Sequence, residues 1–223
     1  MKKIILGIFT LFILQTVKAQ EPRGFSVLAG ANFGSLKTND LKASPAGPGL
    51  FAGIGFNMGY HETYNYQIEI AYAQNSVNLE DSEGNQIKYN VGGLYQVGLY
   101  LNYYIIKPDE DKFYFGPQAG VYTSFGGFTS STGSYTGDSY EPSGLSSLTL
   151  MDSAPFNYGA GFGLTGAYNK FRFNFRYNLG LSNVLRNVAR PVEPGAYSSG
   201  ETPFSGKVSS VSLTLSYRVF SRN

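Results

Sequence analysis

The feature that most constrains this chain is an alternation of apolar residues with polar or small ones, which recurs in eight segments. In an extended strand, successive side chains point to opposite faces, so each segment has one apolar and one polar face. In the clearest example, 171–181, Phe, Tyr and Leu alternate with Arg172, Asn174, Arg176, Asn178 and Gly180. The eight segments are 25–33, 50–60, 64–73, 95–105, 113–122, 156–165, 171–181 and 210–219. They predict an all-β fold.

The alternation alone fits either a soluble β-sandwich or a membrane barrel, and the aromatic residues favour the barrel. Aromatic side chains stand at both ends of the apolar set in several segments, as Tyr64 and Tyr72 do in 64–73. This spacing is typical of the two interfacial girdles of an outer-membrane barrel. The segments also reach about ten residues, against about 5–6 for the commonest soluble strand.

The connections between the segments alternate in length, which also favours a barrel. Three are short, namely 61–63, 106–112 and 169–170, and four are long, namely 34–48, 74–88, 124–154 and 183–207. Outer-membrane barrels have short periplasmic turns and longer extracellular loops. We therefore predict an eight-stranded antiparallel up-and-down transmembrane β-barrel, surrounded by the outer-membrane lipid of a Gram-negative bacterium.

The N-terminal residues predict export through a cleaved signal peptide. Two lysines precede an apolar stretch that is too short to span a membrane as a helix, and Val17-Lys18-Ala19 favours cleavage after Ala19. Residues 1–19 would then be the signal peptide and 20–223 the barrel domain. The remaining chain has 14 basic and 15 acidic residues, a formal charge of −1. This balance indicates no nucleic-acid partner, whereas export to the outer membrane implies the barrel-insertion machinery during assembly.

An eight-stranded barrel has an interior just wide enough for side chains to fill it. The residues predicted to face inward include Tyr100, Tyr104, Tyr114, Tyr122, Glu69, Arg172, Arg176 and Arg218, opposite many inward glycines that supply room. A charge in a narrow lumen needs a partner. We therefore predict a Glu69–Arg176 ion pair that plugs the lumen, with Arg172 and Arg218 as the other cations available. A polar filling that is hydrogen-bonded with water is an open alternative.

The chemistry-bearing residues indicate neither an enzyme nor a cofactor or metal site. The chain has no cysteine, and its one histidine, His61, falls in a predicted periplasmic turn. The loop carboxylates Asp81, Glu83, Asp138 and Glu141 have the spacing of no known calcium loop, which favours solvated charges. The glycines of 159–163 are spaced by two with no helix after them, so they indicate one face of a strand rather than a nucleotide-binding loop.

Three segments carry a family resemblance: 66–72 (YQIEIAY), 113–120 (FYFGPQAG) and 176–183 (RYNLGLSN), and 213–220 (LTLSYRVF) is similar to a closing strand. By these segments the chain resembles the PorT-like outer-membrane β-barrel family from about Gly24 to Phe220. It departs from the family at Gly98, where proline is expected, and in the tail that follows Phe220. The resemblance implies a small barrel, and PorT itself is linked to type IX secretion.

Three functions remain open at this stage. The first is a non-enzymatic barrel with a side-chain-filled lumen, which acts structurally or through its extracellular loops. The second is an accessory component of a type IX-like secretion system, with protein partners at its loops or periplasmic turns. The third is a narrow solute pore, against which the inward tyrosines and arginines argue.

Overall fold

The computed structural model describes residues 23–39, 41, 43–45, 47–59, 63–80, 86–90, 95–106, 113–126, 129–130, 139–140, 145–146, 155–187 and 204–222. The predicted signal peptide, residues 1–19, lies outside this part. The strands in chain order are β1 (Arg23–Thr38), β2 (Ala43–Pro45), β3 (Pro48–Gly59), β4 (Tyr64–Ala73), β5 (Ser76–Glu80), β6 (Gln86–Asn90), β7 (Tyr95–Tyr103), β8 (Phe113–Phe125), β9 (Thr129–Ser130), β10 (Ser139–Tyr140), β11 (Leu145–Ser146), β12 (Phe156–Tyr168), β13 (Phe171–Gly180) and β14 (Gly206–Arg222). Among the described residues, no helix has the length and apolar character needed to cross a membrane.

Eight of the described strands form a closed barrel in the order β1-β14-β13-β12-β8-β7-β4-β3. Every neighbouring pair is antiparallel, and the pairing of β1 with β3 closes the ring. The predicted eight-stranded antiparallel up-and-down barrel is therefore confirmed. Each predicted segment lies mainly or wholly in one barrel strand, and the third has the same bounds as β4.

The two faces of the barrel strands follow the alternation in the sequence. On β13, Phe173 and Phe175 are exposed, whereas Arg172, Asn174 and Arg176 are buried. Large apolar side chains that are exposed in this way require an apolar surrounding such as the lipid of a membrane. The buried face is polar, which is the reverse of a soluble sandwich.

The turn between β12 and β13 lies where the sequence predicts it. Asn169 has φ of 54°, a left-handed conformation that asparagine adopts more readily than most residues. The turn brings Tyr168 opposite Phe171 as the last pair of the two strands.

The long connections contain strands that the sequence analysis did not predict. β1 continues to Thr38 and β14 begins at Gly206, so both strands extend beyond their predicted bounds. Strands β2, β5, β6 and β9 pair in that order into a separate four-stranded sheet at the outer end, and β10 pairs with β11. Alternation over five residues or fewer is too short to be recognised as a membrane strand, which explains why the sequence did not predict them.

Candidate functional site: the closed lumen

A buried ion pair crosses the middle of the lumen. Arg176 lies on β13 and Glu69 on β4, and these strands are four places apart in the eight-stranded ring, on opposite sides. The guanidinium donates from Nη1 to Glu69 Oε2 at 2.8 Å and from Nη2 to Glu69 Oε1 at 3.1 Å. Arg176 is 1% exposed and Glu69 2% exposed. The structure thus brings together the two residues that the sequence analysis paired, in the bidentate geometry that guanidinium and carboxylate favour.

The guanidinium of Arg176 has two further partners, and together they hold it across the lumen. Its Nε donates to Gln118 Oε1 on β8 at 2.7 Å. The ring of Tyr100, on β7, lies with its centroid 3.5 Å from the guanidinium carbon, a close cation–π contact. Four elements of the barrel therefore meet at one cation.

The other two predicted arginines do not contact Glu69. Arg172 donates from Nη1 to Gln67 Oε1 at 2.9 Å, and Gln67 in turn donates to Glu69 Oε1 at 2.8 Å. Arg172 therefore reaches the ion pair through one intervening amide. Arg218 lies near the periplasmic end of β14, where its side chain packs beside Gly24.

A chain of side-chain amides continues the network toward the periplasmic end. Gln118 donates to Asn102, which donates to Asn65 Oδ1 at 2.6 Å. Asn65 donates to the Tyr104 hydroxyl at 2.9 Å. We refer to Asn65, Gln67, Glu69, Tyr100, Asn102, Tyr104, Gln118, Arg172 and Arg176 as the lumen network. Because its members donate to one another across several strands, they fill the lumen with a connected set of polar side chains.

The inward glycines provide space for the ring of Tyr100. A Cβ atom added at Gly98, Gly120 or Gly161 would lie within 3 Å of an atom of that ring. Tyr100 can therefore lie flat across the lumen only because these three positions carry no side chain. This contact also gives a physical reason for a glycine at position 98, because a side chain there would meet the Tyr100 ring.

One wall of the lumen is apolar, and the sequence analysis missed it. Leu28, Phe51, Ala71 and Ala73 form a buried cluster on β1, β3 and β4. The sequence contained an indication of this apolar wall. Phe51 lies two residues before the inward-facing Gly53, so its side chain must point to the same, inner face of β3. An alternation that assigns apolar residues to the lipid side cannot recognise an apolar residue on the inner side.

A second closure lies at the outer end of the barrel. We call it the outer cap, a buried apolar cluster of Leu36, Leu41, Val77, Leu79, Tyr89, Val184, Leu185, Phe204 and Val208. Its members come from β1, β5, β6 and β14, from the segment between β1 and β2, and from the segments that follow β13 and precede β14. No periodic pattern identifies it in the sequence, since its members come from three separate connections and the strand ends beside them, between β1 and β3, between β4 and β7, and between β13 and β14.

Asn183 holds the two ends of the connection between β13 and β14 together. Its Nδ2 donates to the Phe204 carbonyl at 2.8 Å, and its Oδ1 accepts from the backbone N–H groups of Leu185 at 3.0 Å and Gly206 at 2.8 Å. These contacts position Leu185 and Phe204 for burial in the outer cap. A single side chain thereby satisfies three backbone groups that the apolar cluster would leave without water.

A small cavity lies where the outer cap meets the lumen. Val184 and Val208 of the cap line it together with Gln96, Tyr122 and Ser210 of the barrel strands. Its volume is about 10 Å³, space for about one water molecule. The two closures are therefore nearly contiguous.

Several residues discussed in the sequence analysis lie outside the described residues. They are His61 and the loop carboxylates Asp81, Glu83, Asp138 and Glu141. Within the described part of the chain, no group of three or more His, Cys, Asp and Glu side chains is arranged to hold a metal ion.

The closed barrel, with its exposed apolar face and its polar lumen, defines a small outer-membrane β-barrel protein. Residues 15–186 match the model of a family described as "Outer membrane protein beta-barrel domain". The chain belongs to this family. The match covers more than half of the chain. A comparison of the chain with curated proteins found no match.

Solved structures of small outer-membrane proteins resemble the chain over most of its length. OprG from Pseudomonas aeruginosa is 12% identical, with 89% of this chain and 98% of that chain covered and a TM-score of 0.45. Ail of Yersinia pestis is 15% identical, with 87% and 98% covered and a TM-score of 0.39. Outer Membrane Protein W of E. coli is 15% identical, with 89% and 99% covered and a TM-score of 0.35. Likenesses at these scores carry no argument about what this chain binds or does.

Proposed function

We propose that this protein is a closed, non-enzymatic outer-membrane barrel that acts as a scaffold for its outer end and does not conduct solutes. The observation that carries the proposal is the Glu69–Arg176 pair, which spans the lumen and is almost fully buried. A solute that crosses the lumen would have to displace this pair together with Tyr100 and Gln118.

The energetics of the pair favour closure. Separation of a buried pair leaves each charge without its partner in a medium of low dielectric, which costs about 3–5 kcal/mol. The hydrogen bond that Gln67 donates to Glu69 and the one that Gln118 accepts from Arg176 would also be disturbed. A ground state in which the lumen is open is therefore disfavoured.

The outer cap supports the assignment of function to the outer end. The extracellular connections bury an apolar core of their own, so they present a folded surface rather than only flexible loops. A folded surface keeps side chains in defined positions for a partner, because less conformational entropy is lost on binding. Protein partners at the outer surface fit this arrangement.

The chemistry of the chain supports a non-enzymatic role without a cofactor. Catalysis by barrel hydrolases needs a general base beside a nucleophile or an activated water. Glu69, the carboxylate in the middle of the lumen, is engaged by Arg176 and Gln67. The only histidine of the chain is His61, in a connection predicted to be periplasmic, and there is no cysteine.

Single-channel recording in planar bilayers tests the proposal. We expect the refolded protein to insert, as judged by faster migration of the unboiled sample on a gel, and to give no conductance steps above background. Reproducible steps from the unmodified protein would contradict the closed barrel and favour the narrow pore. A known open porin that is refolded by the same protocol serves as the positive control.

The second candidate function is an accessory role in a type IX-like secretion system, as a PorT-like barrel. The segments that carry the resemblance supply Glu69, Gln118 and Arg176, which meet in the lumen network. The secretome of a deletion strain, compared with its parent by mass spectrometry, separates the candidates. Selective loss of proteins with type IX export signals would favour this role, and an unchanged secretome would favour the scaffold.

Deletion of extracellular segments provides an independent separation. A scaffold that works through its outer end should lose function when the segment 127–154 is shortened, while the barrel still folds. A secretion component with periplasmic contacts should keep its function. Because the barrel-insertion machinery is the proposed partner in assembly, outer-membrane levels must be measured for each deletion.

A further inference from the structure

Two lysines lie directly opposite each other at the outer end of the barrel wall. Lys37 of β1 and Lys207 of β14 are register partners, and both side chains are exposed. Lys37 shares the outward face of β1 with Phe33, because residues 34 and 36 between them are buried inward. Like charges at directly opposed positions of an antiparallel pair repel each other, and an anion between them would remove that repulsion.

The described neighbours of these lysines do not neutralise them. Neither lysine forms an ion pair with another described residue. A third cation continues the same rim. Arg186 is exposed and donates from Nη2 to the carbonyl of Phe156, at the outer end of β12, at 2.9 Å. Strands β1, β14, β13 and β12 are consecutive in the barrel, so the three cations follow one arc of the rim.

The height of the arc matches the lipid headgroups. Phe33 is 41% exposed on the apolar face of the barrel. Lys37 lies four residues further along β1, about 13 Å along the strand and about 10 Å along the barrel axis at the usual tilt. The headgroup layer extends about 5–7 Å beyond the hydrocarbon, and a lysine stem can reach back toward it. Phe33 is the last large apolar residue on the outward face of β1 before Lys37, so we place it at the edge of the hydrocarbon and expect the ammonium groups at the level of the headgroup phosphates.

We propose that Lys37 and Lys207, assisted by Arg186, form a binding site for the phosphorylated headgroups of outer-leaflet lipids. The extended ribbon of β1 and β14 carries the two lysines outside the barrel wall, while Leu36 and Val208 on its other face pack in the outer cap. The same ribbon thus holds the cap and contacts the lipid. This inference does not depend on whether the barrel conducts.

Native mass spectrometry of the refolded chain in detergent, titrated with bis-phosphorylated lipid A, tests the site. We expect the double variant K37Q/K207Q to bind roughly thirtyfold more weakly and R186Q roughly fivefold more weakly. The variant K37R/K207R should retain binding. The matched control is K170Q, which removes one exposed lysine from the opposite, periplasmic end of the barrel. Each variant must keep the faster migration of its unboiled form.

Three outcomes would overturn the proposal. The first is a weakening by K170Q as large as that by R186Q, which would indicate attraction by net charge alone. The second is equal affinity for lipid A from which the phosphates have been removed. The third is binding of inorganic pyrophosphate as tight as that of the lipid, which would assign the cations to a free polyphosphate instead. Weaker binding in K37Q/K207Q and, to a smaller extent, in R186Q, with K170Q unchanged and the phosphate-free lipid bound weakly, supports the site.

Discussion

The lumen network and the outer cap close the same barrel by opposite means. The network is polar, has a charged pair at its centre and is built on barrel strands. The cap is apolar and is built largely from the segments between those strands. A polar closure needs every member in place, since one missing partner leaves a buried group unsatisfied. An apolar closure depends on the area removed from water, so it should weaken in proportion to what is removed.

The two closures also differ in how they are coupled to the rest of the fold. Glu69 and Arg176 lie on opposite sides of the ring, so their contact reports on the whole barrel. Among the described residues, the only barrel strands that contribute to the cap are β1 and β14, so we expect the cap to open while the barrel remains paired. Disruption of the network should therefore affect global stability, and disruption of the cap should be local.

The largest expected effect is that of Arg176→Ala. Removal of the cation leaves Glu69 buried and without its charge partner, and we expect a loss of about 3–5 kcal/mol in the free energy of unfolding. Urea unfolding in lipid vesicles, followed by the gel mobility of unboiled samples, measures it. The control is Glu69→Gln combined with Arg176→Met, which removes both charges and should cost much less. A double variant that loses the sum of the two single effects would show that the pair is not coupled.

The next effect is that of Leu79→Ala in the outer cap. A buried leucine truncated to alanine costs about 2–4 kcal/mol, and here we expect the cost to fall on the cap alone. Protease cleavage of the extracellular segments should accelerate by at least roughly thirtyfold, with the barrel still intact on unboiled gels. Leu50→Ala, at a position that is 52% exposed on the lipid side, is the matched control and should leave cleavage unchanged. Loss of the barrel itself in Leu79→Ala would mean that the two closures are not separable.

A smaller effect is expected from Gly98→Ala. The added methyl group would meet the ring of Tyr100, and overpacking of this kind costs about 1–3 kcal/mol. Gly166→Ala is the control, because a Cβ atom there would make only ordinary contacts, the nearest at 3.5 Å. If the ring is the source of the clash, Gly98→Ala should cost no further stability once the ring has been removed. The combined variant Gly98→Ala with Tyr100→Ala should then be as stable as Tyr100→Ala alone. Equal unfolding curves for Gly98→Ala and the unmodified protein would contradict the tight fit.

The smallest expected effect is that of Tyr100→Phe. The change removes the hydroxyl that accepts from Gln96 Nε2 at 3.1 Å, but it keeps the ring against Arg176. We expect a loss of about 1 kcal/mol in the free energy of unfolding. Tyr95→Phe, on the lipid side of the same strand and exposed, is the control. A loss as large as that of Arg176→Ala would mean that the hydroxyl, rather than the ring, holds the guanidinium.

The sequence determined the wall of this barrel. Side chains of a strand alternate between its two faces with a period of two. Phe171, Phe173 and Phe175 therefore identify one face of β13 as apolar, and Arg172 and Arg176 identify the other as polar. This assignment does not depend on which strands pair with β13. The alternation of short and long connections then determined the order of the strands. Even the pairing of Glu69 with Arg176 could be proposed from the sequence, because a lone carboxylate in a narrow lumen requires a cation.

Only the tertiary structure decided how the barrel is closed. The choice of Arg176 over Arg172 depends on which side chain lies diametrically opposite Glu69, and this follows from the register around the closed ring rather than from any local pattern. The outer cap likewise joins Leu36, Val77, Leu185 and Phe204, which are far apart in the chain. Such contacts carry no periodic signal, because each segment contributes only one or a few apolar residues. Their burial depends on where the ends of the barrel strands place the connections.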